Sequence, residues 1–272
     1  MHQIVVGAAL ALDGIRQHRD WLFEAQRDIE LQDFFTAEVL NGDWRPHAAE
    51  IRAALDGHGG RLGIHGPFWG FSTASRDPDI RALVARRMEQ GLDVCAALGA
   101  TQMVIHSPYT TWDHRNMDMP PQPYRGMITH FAHDTLGAAV RRAEAEGVTL
   151  VMENIEDMIP ADRRALVDSF GSDAIRLSVD TGHAHFAHVT HGAPAVDYFI
   201  ADAGAQLHHV HLQDVDGYAD RHWSVGQGTI CWDAVFRAIA ACGPQVRAVL
   251  ELRDKALIPA SMRFITERGL AR

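Results

Sequence analysis

Eight short apolar runs recur along the 272 residues, at 4–10, 29–35, 61–65, 102–106, 149–153, 175–180, 207–212 and 246–252, with helical patterns between them. Strand then helix, repeated eight times over about 250 residues, is the grammar of a parallel (β/α)8 barrel. An open doubly wound sheet is the competing arrangement, but no Gly-x-Gly-x-x-Gly follows the first run. The best-marked helix is expected at 79–98, where Ile80, Leu83, Val84, Met88, Leu92, Cys95 and Leu98 repeat at steps of three and four and Gly99 follows as a C-cap. Others are expected at 48–55, 127–146, 162–170 and 232–241. No linker, low-complexity tract or internal repeat divides the chain, so residues 1–272 read as one domain.

A composition 47% hydrophobic and 22% charged supplies ample core for that domain. The net charge of -10 gives no general attraction to nucleic acid or to an anionic membrane, so neither is expected as a partner. Cys95, Cys231 and Cys242 show no pairing spacing, which suits core filling in a reducing compartment. No basic segment precedes the first apolar run and 5–12 is too short to cross a bilayer, so a cytoplasmic location is expected. The unusual number is 17 histidines, more than the 4 tyrosines and 6 tryptophans together.

The last polar residue of each run from the third onward is His65, His106, Glu153, Asp180, His211 and Glu251. In a closed barrel those ends converge on one mouth, at the C-terminal face. A lone histidine there is usually a hydrogen-bonded group and a lone carboxylate often a helix cap, but six consecutive metal-competent ends are not the work of chance. Glu153 and Glu251 sit in LVMENI and AVLELRD, where an unpaired carboxylate is costly and a cation supplies the partner.

Residues 208–228, HHVHLQDVDGYADRHWSVGQG, add Asp220 and His222, an Asp-x-His pair able to grip a divalent cation with one oxygen and one nitrogen. Alternation along the strand places His209, His211 and Gln213 on one face, with His209 filling the barrel below His211. Three long loops follow strands: 66–78 with Phe68, Trp69 and Phe71; 107–124 with Trp112, His114, Pro120, Pro121 and Pro123; and 184–196 with His185, His188 and His191. Aromatic side chains on such loops can stack on a sugar ring. The proline-rich loop serves equally to pack against a neighbouring subunit, which leaves a homo-oligomer open, and the three histidines of the last loop read as hydrogen-bonding or solvent-facing groups.

GIHGPF around His65, VIHSPY around His106, VMENI around Glu153, SVDTGHAH from Ser178, HVHLQD around His211, DRHWSVGQG from Asp220 and LEL around Glu251 together span nearly the whole chain. In them the chain resembles the xylose isomerase-like TIM barrel superfamily, which includes sugar isomerases and epimerases together with endonuclease IV. The resemblance implies a single (β/α)8 TIM barrel with a metal site at its C-terminal face. In endonuclease IV the corresponding positions hold three zinc ions, and all nine matching ligands occur here: His65, His106, Glu153, Asp180, His183, His211, Asp220, His222 and Glu251. Family sugar isomerases carry a Gly-Glu-Gly turn after the Asp-x-His pair, whereas this chain has Gly226, Gln227 and Gly228, which read as a tight turn.

Two chemistries follow from that resemblance. The first, ranked ahead, is isomerisation or epimerisation of a small keto sugar or related polyol. Glu153, Asp180, His211 and Glu251 would hold one Mn2+, Mg2+ or Co2+ that stabilises an enediolate, the two glutamates would remove and return a proton, and His183 would steady a hydroxyl. Phe68, Trp69 and Trp112 would contact the sugar, and Arg253 would bind a phosphate or carboxylate or else form a surface ion pair. The second is a zinc-cluster hydrolase of a small phosphate ester. His65 and His106 would hold one ion with Glu153 as a bridge, Asp180, His211 and Glu251 a second, and His183, Asp220 and His222 a third, so one to three ions per chain are expected. The ligands Asp220 and His222 favour this second chemistry, while the acidic balance argues against DNA as its substrate. A metal-dependent binding protein without turnover ranks last.

Overall fold

Strands form where the sequence places them: β1 (Val6–Leu10), β2 (Ile29–Leu31), β3 (Leu62–His65), β4 (Gln102–His106), β5 (Thr149–Glu153), β6 (Ile175–Asp180), β7 (Leu207–Leu212) and β8 (Arg247–Leu250). Nearly every residue in them is buried, as parallel strands covered on both faces must be. In this computed structural model, which describes residues 4–119 and 124–272, each neighbouring pair is parallel, and β8 returns to pair with β1. The sheet therefore closes into a (β/α)8 barrel, as expected. The proline cluster at 120, 121 and 123 lies outside the described residues.

Register sets the site. His106 lies opposite Glu153 across β4 and β5, and Asp180 lies opposite His211 across β6 and β7, so these strand ends share one rim. Below them the barrel interior is polar rather than oily. Ser178, His209 and Glu30 form one layer, and beneath it Arg247 donates to Leu62 O at 3.0 Å and Thr101 Oγ1 at 2.7 Å.

The expected helices appear as α4 (Arg45–Ala54), α5 (Pro78–Leu98), α7 (Tyr124–Glu146), α8 (Pro160–Ser169) and α11 (Trp232–Cys242). Asp77 caps α5 through the Asp79 amide, and Gly99 ends it at φ 68°, a left-handed position that favours glycine. Arg142 of α7 reaches Glu89 and Asp93 on α5 at 2.8 and 2.7 Å, tying the two longest helices together. Shorter helices fill the crossovers: α1 (Leu12–Gln17), α2 (Arg19–Glu24), α3 (Ala37–Asn41), α6 (Thr111–Asn116), α9 (Thr181–His191), α10 (Val196–Ala203) and α12 (Ile258–Glu267). Among the described residues, no helix is long and apolar enough to cross a membrane.

Four sequence expectations are corrected. The second run is strand only to Leu31. The 107–124 loop contains α6, started by a capping box between Thr110 and Asp113. The 184–196 loop is largely α9, which Asp180 caps through the His183 amide and Gly192 ends at φ 76°. Cys231 is exposed at the N-cap of α11 rather than core filling, because it precedes the first buried turn, whereas Cys95 is buried.

Candidate metal centre

The rim of the barrel gathers all nine proposed ligands into three groups, two of which share Glu153 while the third stands apart. They are His65, His106 and Glu153; Glu153, Asp180, His211 and Glu251; and His183, Asp220 and His222. Within each group the ligand atoms lie no more than 4.8 Å from one another.

Three of the imidazoles are aimed by a bond on the far side. His65 Nδ1 is 3.0 Å from Gly66 O, His183 Nδ1 is 2.9 Å from Asn154 O, and His222 Nδ1 is 2.9 Å from the Glu251 carbonyl. A ring nitrogen facing a carbonyl must carry the proton, so Nε2 of each ring is left for the cluster. His65 Nε2 then stands 3.4 Å from His106 Nε2, and the two lie 3.7 and 3.5 Å from Glu153 Oε2. His183 Nε2 and His222 Nε2 face the same Asp220 oxygen at 3.5 and 3.0 Å. His211 differs, with Nδ1 2.9 Å from Glu153 Oε1 and 3.5 Å from Glu251 Oε2.

The carboxylates carry the clearest sign of a missing partner. Asp180 Oδ1 accepts from the His183 amide at 2.7 Å and from Gln213 Nε2 at 3.1 Å, but the buried Oδ2 accepts from nothing. Glu153 Oε2 is likewise buried without a hydrogen-bond donor. Two unpartnered carboxylate oxygens in a group that also offers His211 and Glu251 are a donor set suited to a divalent cation, so these residues fit the metal the sequence implies.

Electrostatics agree. Burial pushes Asp180 up to about 6, whereas Glu153 stays well below the usual carboxylate range because the charge of His211 and its hydrogen bond overcome its burial. His183 and His211 are held well above the ordinary histidine value against their burial, chiefly by Asp180 and Glu251 respectively. His222 is raised to about 9, its own burial outweighed by the bond to Asp220. His106 is pushed down to about 3 by burial. Without metal, protonated histidines supply the positive charge that the carboxylates require.

Supporting groups escaped the sequence reading. Gln213 donates to both Asp180 and Asp220 and accepts from the His222 amide, so one side chain binds the 213–230 loop to the rim. Asp214, fully buried, accepts from Val215 N, Gly226 N, Ile230 N and Trp232 Nε1. The hydrogen-bonded turn runs from Ser224 to Gln227, ending one residue earlier than the Gly226-Gln227-Gly228 reading, and a Cβ on Gly228 would collide with Val215 O. Gln32 donates to Glu251 Oε1 at 2.7 Å and accepts from Lys255, the only lysine of the chain, at 2.9 Å. Glu30 faces His211 Nε2 from beneath at 3.0 Å.

Among the proposed substrate contacts, Phe68 stacks on His106 at 4.4 Å and on Phe35 at 5.3 Å, walling one side of the centre. A cavity of about 170 Å³ opens beside it, lined by Phe71, Thr73, Tyr109 and Glu156 among others. Trp69 and Trp112 are 67% and 69% exposed, so neither belongs to the core, and Trp112 stands apart on α6. Arg253 Nη2 lies 3.4 Å from the Asp220 carbonyl and its amide donates to His222 O. His185 and His188, now on α9, bond to Thr229 Oγ1 and Ala193 O and take no part in the three groups.

Comparison with known proteins identifies the family of the barrel. The family described as xylose isomerase-like TIM barrel matches residues 28–268. An uncharacterized protein of Methanocaldococcus jannaschii is 25% identical over 190 residues, 66% of this chain and 60% of that protein. The chain thus spans less than two thirds of the length of the curated relatives it matches. Among solved structures, a Thermus thermophilus protein soaked with ZnCl2 is 28% identical with a TM-score of 0.73, covering 97% of each chain. A D-tagatose 3-epimerase-like protein is 18% identical with a TM-score of 0.73, covering 97% of this chain and 99% of its own.

Proposed function

Since this chain belongs to the xylose isomerase-like TIM barrel family, we propose that it is a divalent-metal-dependent isomerase or epimerase of a small keto sugar or related polyol. The observation that carries this reading is the group of Glu153, Asp180, His211 and Glu251, with its two unpartnered carboxylate oxygens. The likeness to a D-tagatose 3-epimerase-like barrel supports the substrate class. A bound Mn2+, Mg2+, Co2+ or Zn2+ would polarise a carbonyl and offset the negative charge formed when the neighbouring carbon loses its proton.

The residues supply the rest. Glu251 has one oxygen held by Gln32, which leaves Oε2 to take a proton from the carbon beside the carbonyl. Glu153, which starts ionised, takes up a solvent proton and delivers it on the other face, while Glu251 releases its own to solvent. His183, its ring fixed by the Asn154 carbonyl on Nδ1, turns Nε2 toward a substrate hydroxyl. Phe68 meets the apolar face of the sugar on the β3 side, and Trp69 makes an outer contact. Arg253 holds the loop that carries Asp220 and His222. The net charge of -10 favours a small neutral substrate in the cytoplasm over nucleic acid.

A specific observation keeps a second reading: the separate His183, Asp220 and His222 group is more than one ion needs, and it suits a two- or three-zinc phosphoesterase. One experiment separates the two. Protein purified without chelator or added metal is analysed for metal content, then incubated in D2O with a panel of ketohexoses. About one ion per chain and solvent deuterium at the epimerised carbon are expected, with Glu251→Gln slowing the exchange by about 10²–10⁴-fold. Two or three zinc ions, no deuterium uptake and hydrolysis of a phosphodiester would give the site to the second reading.

A further inference from the structure

Glu30 is a carboxylate in the wrong place for a bland explanation. It lies on β2, the one strand between β1 and β3, inside the barrel and only 3% exposed. Among the described residues, no arginine or lysine forms an ion pair with it. Its neighbours are two imidazoles: His211 Nε2 at 3.0 and 3.1 Å from its two oxygens, and His209 Nε2 at 3.1 Å. His209 is itself held by Ser178 Oγ at 2.8 Å and meets His211 edge to face at 4.5 Å between ring centres. A buried carboxylate costs stability unless a strong donor satisfies it, and here the ring with hydrogen-bond geometry toward both oxygens is His211, itself a proposed ligand, while His209 Nε2 stands close without a hydrogen bond.

We infer that Glu30 is a positioning residue of the centre: it holds the proton of His211 on Nε2 and so commits Nδ1 to the cation. This rests on the metal-binding reading above. The other three aimed rings present Nε2 because their Nδ1 atoms face main-chain carbonyls. His211 cannot use that device, since its Nδ1 is the nitrogen turned toward Glu153 and Glu251. A side chain from below must do the same work on the opposite nitrogen, and Glu30 is placed to do it. Such outer partners fix ring orientation and raise the basicity of the coordinating nitrogen.

The test uses the full chain, metal-free and then titrated with Zn2+ against a chromophoric chelator, and loaded with 113Cd2+ after 15N labelling for NMR. Glu30→Leu should weaken zinc binding by about 10–100-fold, and Glu30→Gln, which keeps an acceptor oxygen, should lose less. In wild type the 113Cd–15N coupling of His211 should fall on Nδ1, with Nε2 still bearing a proton. Coupling to Nε2, or zinc affinity in the leucine variant equal to that of wild type, would overturn the inference. If the leucine variant does not fold, the glutamine variant decides by affinity: a drop of at least about threefold supports the role, and a smaller change overturns it. Wild-type protein that binds neither ion sinks the metal centre and this inference with it, whereas binding indifferent to Glu30 sinks the inference alone.

Discussion

His114 shows how a single side chain far from the chemistry can set acid tolerance. Its ring is buried beneath α6, 3.3 Å from Asp162 Oδ2, and neither ring nitrogen makes a hydrogen bond. Burial pushes it down to about 4, below the ordinary value of 6.5 that it regains on unfolding. Between those values the unfolded chain takes up a proton that the folded protein refuses, so stability is lost as pH falls from 6.5 toward 4. At pH 5 that loss is about 2 kcal/mol. Urea unfolding of His114→Phe at pH 7 and pH 5 should show a correspondingly smaller drop than wild type, and an equal drop would mean the ring is not the sensor. Residues of this kind also mark the limit of what a sequence discloses. Glu153 was legible because it ends the apolar run LVM of LVMENI, so its charge demanded a partner. Glu30 stands in DIELQD, where Asp28, Gln32 and Asp33 make it look like part of a solvated patch. Its purpose depends on a ring 181 residues away, which only closure of the barrel brings to it.

At the scale of elements, the strands were readable because each is a short, largely apolar run, and from β3 onward a metal-competent side chain stands at or next to its C-terminal end. The helix α9 was not. Its sequence TGHAHFAHVTH alternates histidine with small residues, which hides the helical period of its buried positions Ala184 and Ala187, and its N-cap is the same Asp180 that was assigned to the metal. What shapes the loop 213–230 is not visible in the sequence, since the four donors to Asp214 converge only after folding. That aspartate decides whether Asp220 and His222 reach the rim. Asp214→Ala would strand four donors, three of them on buried residues, and should destabilise the protein by about 3 kcal/mol in chemical denaturation. It should also abolish binding at the His183 group while sparing the deeper one, so metal analysis of a loaded sample would show fewer ions than wild type wherever more than one is bound. An unchanged unfolding midpoint would mean that the backbone bridge between Asp214 and Trp223 suffices.

For the whole molecule, the centre is a clasp that joins strands from β3 to β8 at one end of the barrel, so a cation that binds only the folded chain must stabilise all of it. At 100 times its dissociation constant an ion adds about 2.7 kcal/mol. For a chain of this size that corresponds to a rise of roughly 5–10 °C in melting temperature. Calorimetry with excess zinc or manganese and with chelator should show that gap, and coincident transitions would count against a cage formed by folding. The fold itself was legible throughout, because eight repeats of one pattern leave little else to build, whereas the number of ions was not, because the same nine side chains serve one ion or three. Lys255 has a practical side. Half-buried beside the mouth, with its pKa lowered by that burial, it is the chain's only side-chain amine. Amine-reactive beads or sensor chips would therefore grip this protein at its entrance or by the α-amino group, and every molecule caught by the lysine would be tethered mouth-down, its active face turned toward the support.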